Sequence, residues 1–319
     1  MLTVDSRVDL GAVSGGAETG AIAFDRMEGG GLDAAFFIVP VPRVSRTPEG
    51  YESARRAALG GIARLGKMIQ DRASRIGLGL SPEDAYRLEK EGRHTAFIGL
   101  ASGDALGNDL SLVEAYHAKG VRLLILCGES DNAVCDSALD RADPEDRGLS
   151  EFGKRVIAEC NRAGLVIDVA GCSERSIEGV LAASRAPIVC SRAGASRLSG
   201  VPGNLSDGMI TAIAAHEGVI LVTFDPARLV PPERPRRAGV SDIAEHVEYV
   251  MKLAGPESVG IGSCFGGGGG VPGCRNTSEM LELTIELLRR GHAEKTVEAV
   301  WGGNIMSVFK RVAGGAGNR

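Results

Sequence analysis

The run Val219-Ile-Leu-Val-Thr-Phe224 is continuously apolar and rich in β-branched side chains, the pattern of a strand buried on both faces. Such strands belong to parallel sheets covered by helices. Ala34-Ala-Phe-Phe-Ile-Val39 has the same character. Working outward from these two gives eight β-rich segments: Leu2–Leu10, Leu32–Val41, Thr95–Ser102, Val121–Gly128, Gly164–Gly171, Pro187–Gly194, Gly218–Asp225 and Val259–Gly266.

Amphipathic helical patterns lie between them, at Ser53–Asp71, Leu110–Lys119, Ser150–Arg162, Ser173–Ser184, Ser206–His216, Ser241–Leu253 and Thr277–Arg289, with a last one across Glu294–Val312. Several open on Ser or Thr, whose hydroxyl can accept an orphan backbone N–H, and Gly120, Gly164, Gly218 and Gly291 follow helix ends as C-caps. Ser81-Pro-Glu-Asp84 predicts an extra short helix with proline at its first position. Eight such alternations could close into a barrel or spread into a doubly wound sheet. No Gly-x-Gly-x-x-Gly follows an early strand, which removes the commonest reason to prefer the open sheet. The α/β fold expected is a (β/α)8 TIM barrel forming a single domain over residues 1–319, with Val230–Arg237 as a proline-rich loop.

With 319 residues, 44% of them hydrophobic, the chain can bury a large core. A net charge of −5 without single-sign blocks offers no footprint for nucleic acid or an anionic membrane. No window reaches the roughly 18 uninterrupted apolar residues of a membrane span. Met1-Leu-Thr-Val enters a strand pattern directly, without an export leader, so a cytoplasmic protein is expected. The seven cysteines are an odd, scattered set, read as reduced thiols; none forms a Cys-x-x-Cys pair, so spacing does not support a cysteine zinc site.

A barrel carries its chemistry at the carboxyl ends of its strands. Those positions hold Arg7 and Asp9; Ala101, Ser102 and Asp104; Cys127 and Glu129; Asp168 and Cys172; Cys190 and Arg192; Asp225; and Cys264 with Gly266–Gly270. His94, His117, His216, His246 and His292 fall elsewhere and read as solvated or capping residues. A hydrolytic zinc centre needs imidazole and carboxylate ligands converging on one ion, and this rim offers carboxylates and thiols.

Longer segments resemble the membrane (renal) dipeptidases, amidohydrolase-type barrels that hold two zinc ions and cleave dipeptides. Glu18–Phe37 resembles the approach to the family's second strand, Gly148–Asp168 a helix and the strand after it, and Val259–Ser263 with Gly302–Phe309 the last strand and closing helix. The resemblance implies metal ligands at positions where this chain differs. The family's His-x-Asp is Arg7-Val-Asp9, so the aspartate alone survives; the bridging glutamate falls at Ala101; histidines fall at Gly128, Gly171 and Arg192; and the catalytic aspartate falls at Cys264. A divergent member with no metal and no cofactor is therefore expected.

The leading expectation is a pocket that binds a small carboxylate or amino-acid-like ligand through Arg7 and Arg192, with Glu129, Asp168 and Cys172 contributing. Its counterpart is a plug, in which the arginines pair with Asp9, Asp104 or Asp168. A second expectation is a metal-free enzyme using Asp9 and Asp104 as acid and base, or Cys264 or Cys172 as nucleophile. A third is a non-catalytic subunit of an active homologue, and the family habit implies a homodimer. The glycine run 266–270 reads as a flexible loop or, less readily, a phosphate cradle.

Overall fold

The computed structural model describes residues 2–10, 24–140, 146–234 and 237–316. Residues 18–23 of the Glu18–Phe37 segment, 235–236 of the expected loop, Met1 and the tail at 317–319 lie outside them.

Strands β1 (Val4–Asp9), β2 (Ala34–Val39), β4 (His94–Leu100), β5 (Val121–Ile125), β6 (Val166–Asp168), β7 (Val189–Ala193), β8 (Val219–Val222) and β9 (Val259–Ile261) pair in that order, all parallel. Just past β9, Cys264 donates its N–H to the Arg7 carbonyl at 2.9 Å and Asp9 donates to the Phe265 carbonyl at 2.8 Å, returning the last strand to the first. Helices alternate with the strands, so the fold is the expected (β/α)8 TIM barrel. Every residue of β2 is buried, which explains why that segment is apolar on both faces.

The strand β3 (Ile76–Leu78) was not expected. It pairs with the first residues of β4, whose last residues pair with β5. At three residues it is too short for a period-two pattern to show in the sequence.

Four helices begin at the capping residues read from the sequence, whereas the helix expected from Ser53 starts at Pro48 on a Thr47 cap and the one expected from Ser241 starts at Val240 without a side-chain cap. Ser150, Ser173 and Ser206 each accept a backbone N–H at the start of Glu151–Ala163, Glu174–Ala183 and Asp207–Ala215, and Ser81 with Asp84 forms a full capping box on Pro82–Lys90. Gly120, Gly164 and Gly291 adopt the expected left-handed conformation. Gly218 does not: Glu217 takes that turn at φ 57°, and glycine stands at 218 because a Cβ there would lie 2.6 Å from the Ile188 carbonyl. The closing helix Asn304–Gly315 carries Phe309 against Phe36 and Phe97, with ring centroids 5.9 and 5.3 Å away, and so stoppers the end of the barrel opposite the mouth.

His246 is a buried brace rather than a solvated or capping residue. Its Nδ1 accepts the Ala195 N–H at 2.8 Å, which leaves Nε2 to donate to the Leu229 carbonyl at 2.9 Å. Burial holds its pKa below the ordinary histidine value, so the ring is neutral.

Candidate functional site

The carboxyl ends of the strands surround a cavity of about 320 Å³. Arg7 and Asp9, two residues apart on β1, both line it. The Arg7 guanidinium spans both Asp9 oxygens, from Nε at 3.1 Å and Nη2 at 3.3 Å, and Nη1 reaches the Ser191 hydroxyl of β7 at 3.2 Å. Burial works against the Arg7 charge, but Asp9, Cys264 and Asp168 together more than offset it, so the guanidinium stays protonated.

Arg192, at the end of β7, is shared between two acids. Nη1 meets Glu129 at 2.9 Å and Nη2 meets Asp225 at 2.8 Å. Glu129 stands on the rim with its side chain 73% exposed, whereas Asp225 is 10% exposed and also faces Arg228 at 3.8 Å. Arg228 and Arg43 line the same cavity, so four arginines face three acids, Asp9, Asp104 and Glu129, on its wall. Neither Arg228 nor Arg43 was singled out in the sequence, although each lies only a few residues beyond a strand tip.

Asp104 lines the cavity and is tied to Ser102, whose hydroxyl donates to Oδ2 at 2.8 Å; burial raises its pKa against that hydrogen bond and the nearby Arg46 and Arg43. Ala101, Gly128 and Gly171 also line the wall. Asp168, expected as a ligand contact, does not. It lies fully buried behind the mouth, with Oδ1 accepting the N–H groups of Ala170 and Ser191, both at 2.9 Å. Cys172 is likewise off the wall, its thiol turned to Cys127 at 3.5 Å and Cys135 at 3.7 Å. The spacing of these cysteines in the chain gave no sign that they would meet.

Cys264, expected as a nucleophile, is fully buried behind Asp9 and donates its Sγ proton to Oδ2 at 3.0 Å. Burial and then the Asp9 carboxylate push the thiol up to about 12, so it is neutral at ordinary pH. Its backbone is left-handed at φ 60°, a strained conformation for a residue with a Cβ and one that clusters at functional sites. The glycines after it form a close turn rather than an open cradle. The N–H groups of Gly267 and Gly269 both donate to the Cys264 carbonyl and that of Gly270 to Phe224, and a Cβ at 267 would stand 2.4 Å from Asp9 Oδ2.

Eight parallel strands closed into a barrel, with ionisable side chains gathered at their carboxyl ends, define a (β/α)8 barrel with a mouth site. The sequence profile of the membrane dipeptidases, peptidase family M19, matches residues 6–318, and the chain belongs to that family. Dipeptidase tcpJ of Claviceps purpurea is 28% identical over 252 residues, 79% of this chain and 59% of that protein. Dipeptidase ataJ of Aspergillus terreus is 27% identical over 305 residues, 89% of this chain and 74% of that protein. The crystal structure of the probable dipeptidase PvdM from Pseudomonas aeruginosa matches with a TM-score of 0.90 at 26% identity, across 99% of this chain and 96% of that one. The matched stretch thus spans little more than half of the Claviceps protein's length.

Proposed function

We propose that this dipeptidase-family barrel binds a small carboxylate or amino-acid-derived ligand at its mouth and does not perform metal-dependent dipeptide hydrolysis there. One observation carries the reading: Asp9, the one first-strand acid in the His-x-Asp position, already spends both oxygens on Arg7 and a third contact on Cys264. A cation there would have to displace a guanidinium fixed within hydrogen-bond distance, against strong repulsion in a poorly solvated site.

The rest of the donor set points the same way. Gly128 and Gly171, where the family resemblance places histidines, both have positive φ, and a Cβ on Gly171 would meet the Gly128 carbonyl at 2.0 Å. Among the described residues, no histidine lines the cavity. Its wall does not fit two zinc ions, which want several imidazole and carboxylate ligands with support behind them.

Arginine forks suit carboxylates, and four of them reach the wall, where a ligand carboxylate would compete for them with Asp9, Asp140, Glu129 and Asp225. Calorimetric titration of the protein with free amino acids and dipeptides tests this. Binding that weakens at least about tenfold, roughly 1.4 kcal/mol, on Arg192→Ala supports it. No binding by any of these carboxylates, or binding indifferent to Arg192, would mean that the arginines only fill the mouth.

A further inference from the structure

Cys127, Cys135 and Cys172 come from three places in the chain, the end of β5, the loop beyond it and the loop after β6, yet their sulfurs all lie within 4.8 Å of one another. We propose that these three thiols are the ligands of a site for one soft divalent ion of the zinc and cadmium kind, set behind the wall of the mouth cavity that Cys127 reaches.

The spacing suits the chemistry. Three sulfurs each about 2.3 Å from a tetrahedral zinc stand roughly 3.8 Å apart; here Cys172 is 3.5 Å from Cys127 and 3.7 Å from Cys135. A buried cysteine is by itself an ordinary small core residue, and Cys160, Cys190, Cys264 and Cys274 are of that kind, outside any such group among the described residues. What sets the trio apart is the mutual approach of three.

The backbone holds them in place before any ion arrives. Cys135 pairs with Leu149 and Ser137 with Cys172 in antiparallel bridges. The Asn132 side chain accepts the N–H groups of Val134 and Cys135, and Ser173 N–H and Ser176 Oγ both donate to the Asp136 carbonyl. Such a preformed arrangement lowers the cost of ordering ligands on binding.

Binding exchanges protons for the ion. Each thiol still carrying a proton releases it to solvent as its sulfur–metal bond forms, up to three per ion, with no change in oxidation state. Three protein sulfurs leave a fourth position to water or another exogenous donor, and Cys127 shares the cavity wall. The site uses none of the arginine–carboxylate pairs, so it stands or falls separately from the reading of the mouth.

The test titrates the full, reduced, metal-stripped protein with cadmium alone. Saturation is expected at one ion per chain, with a thiolate-to-cadmium charge-transfer band in the ultraviolet and protection of three of the seven cysteines from alkylation. Cys135→Ser and Cys172→Ala should each weaken binding by more than the roughly 10–100-fold that losing an outer-shell partner costs, while Cys160→Ala leaves it unchanged. If the variants do not fold, band, stoichiometry and alkylation of the unaltered protein decide. No band, no protection, binding indifferent to the trio variants, or loss of the ion on Asp9→Asn would each overturn the proposal.

Discussion

One guanidinium, that of Arg7, holds both carboxylate oxygens of Asp9, at 3.1 and 3.3 Å. The two side chains are 10% and 15% exposed, so the pair sits mostly out of water. Breaking such a pair from one side leaves an uncompensated charge, whereas replacing both partners with apolar residues removes the problem. Arg7→Ala should therefore cost about 3 kcal/mol, the low end for buried pairs because Asp9 still faces the cavity. The double replacement Arg7→Met with Asp9→Leu should recover most of it. Denaturant unfolding of the unaltered protein, Arg7→Met, Asp9→Leu and the double variant reads the coupling, and simply additive costs would show the pair to be energetically independent.

The two acids on Arg192 should matter unequally. Glu129 is largely in solvent, so Glu129→Gln should shift stability by less than about 1 kcal/mol, as exposed ion pairs do. Asp225 is mostly buried and faces both Arg192 and Arg228, so Asp225→Asn should cost about 2–3 kcal/mol, the range for hydrogen bonds to buried charged groups. Equal costs in urea would contradict this division of the site into rim and wall.

Asp5 lies fully buried beneath the mouth, accepting the Ser263 N–H and hydroxyl and the Arg7 N–H. Burial raises its pKa from 3.8 to about 7. An acid raised in the folded state keeps its proton while the unfolded chain loses it, so stability is lost as pH climbs from about 4 to about 7, by up to about 4 kcal/mol. Asp5→Asn keeps the shape and carries no proton to lose. Its stability should lack this fall, and identical pH profiles for the two proteins would count against it.

Gly171 packs against the backbone of Gly128. A Cβ there would stand 2.0 Å from the Gly128 carbonyl, and its φ of 82° strains any side chain. Gly171→His, which supplies the imidazole that the family resemblance would place there, should destabilise the protein by more than about 2 kcal/mol and restore no zinc binding. A stable variant that gains zinc would show the loop to be more accommodating than its packing.

Much of the fold was legible because continuous apolar runs and serine caps are local signals: the eight barrel strands and the Ser81 capping box fall where the residues place them. β3 was not legible, since three residues carry no period. The mouth was legible by position, as Arg7, Asp9, Asp104, Glu129 and Arg192 all line it. Partners were not. The seclusion of Asp168, the embedding of His246, the burial of Cys264 behind Asp9 and the meeting of Cys127, Cys135 and Cys172 are long-range contacts that no spacing encodes. Arg228 and Arg43 were passed over although Arg43 lies as close to the end of β2 as Asp104 does to the end of β4, so position alone does not separate them.

The most direct measurement is zinc stoichiometry and dipeptide hydrolysis with and without added zinc, made on the Cys135→Ser protein so that the thiol trio does not contribute to the metal count. The expected result is less than one zinc per chain and no zinc-dependent hydrolysis. Two zinc ions per chain with dipeptide cleavage that follows their binding would place a working metal centre at the mouth and contradict the reading of Arg7 and Arg192.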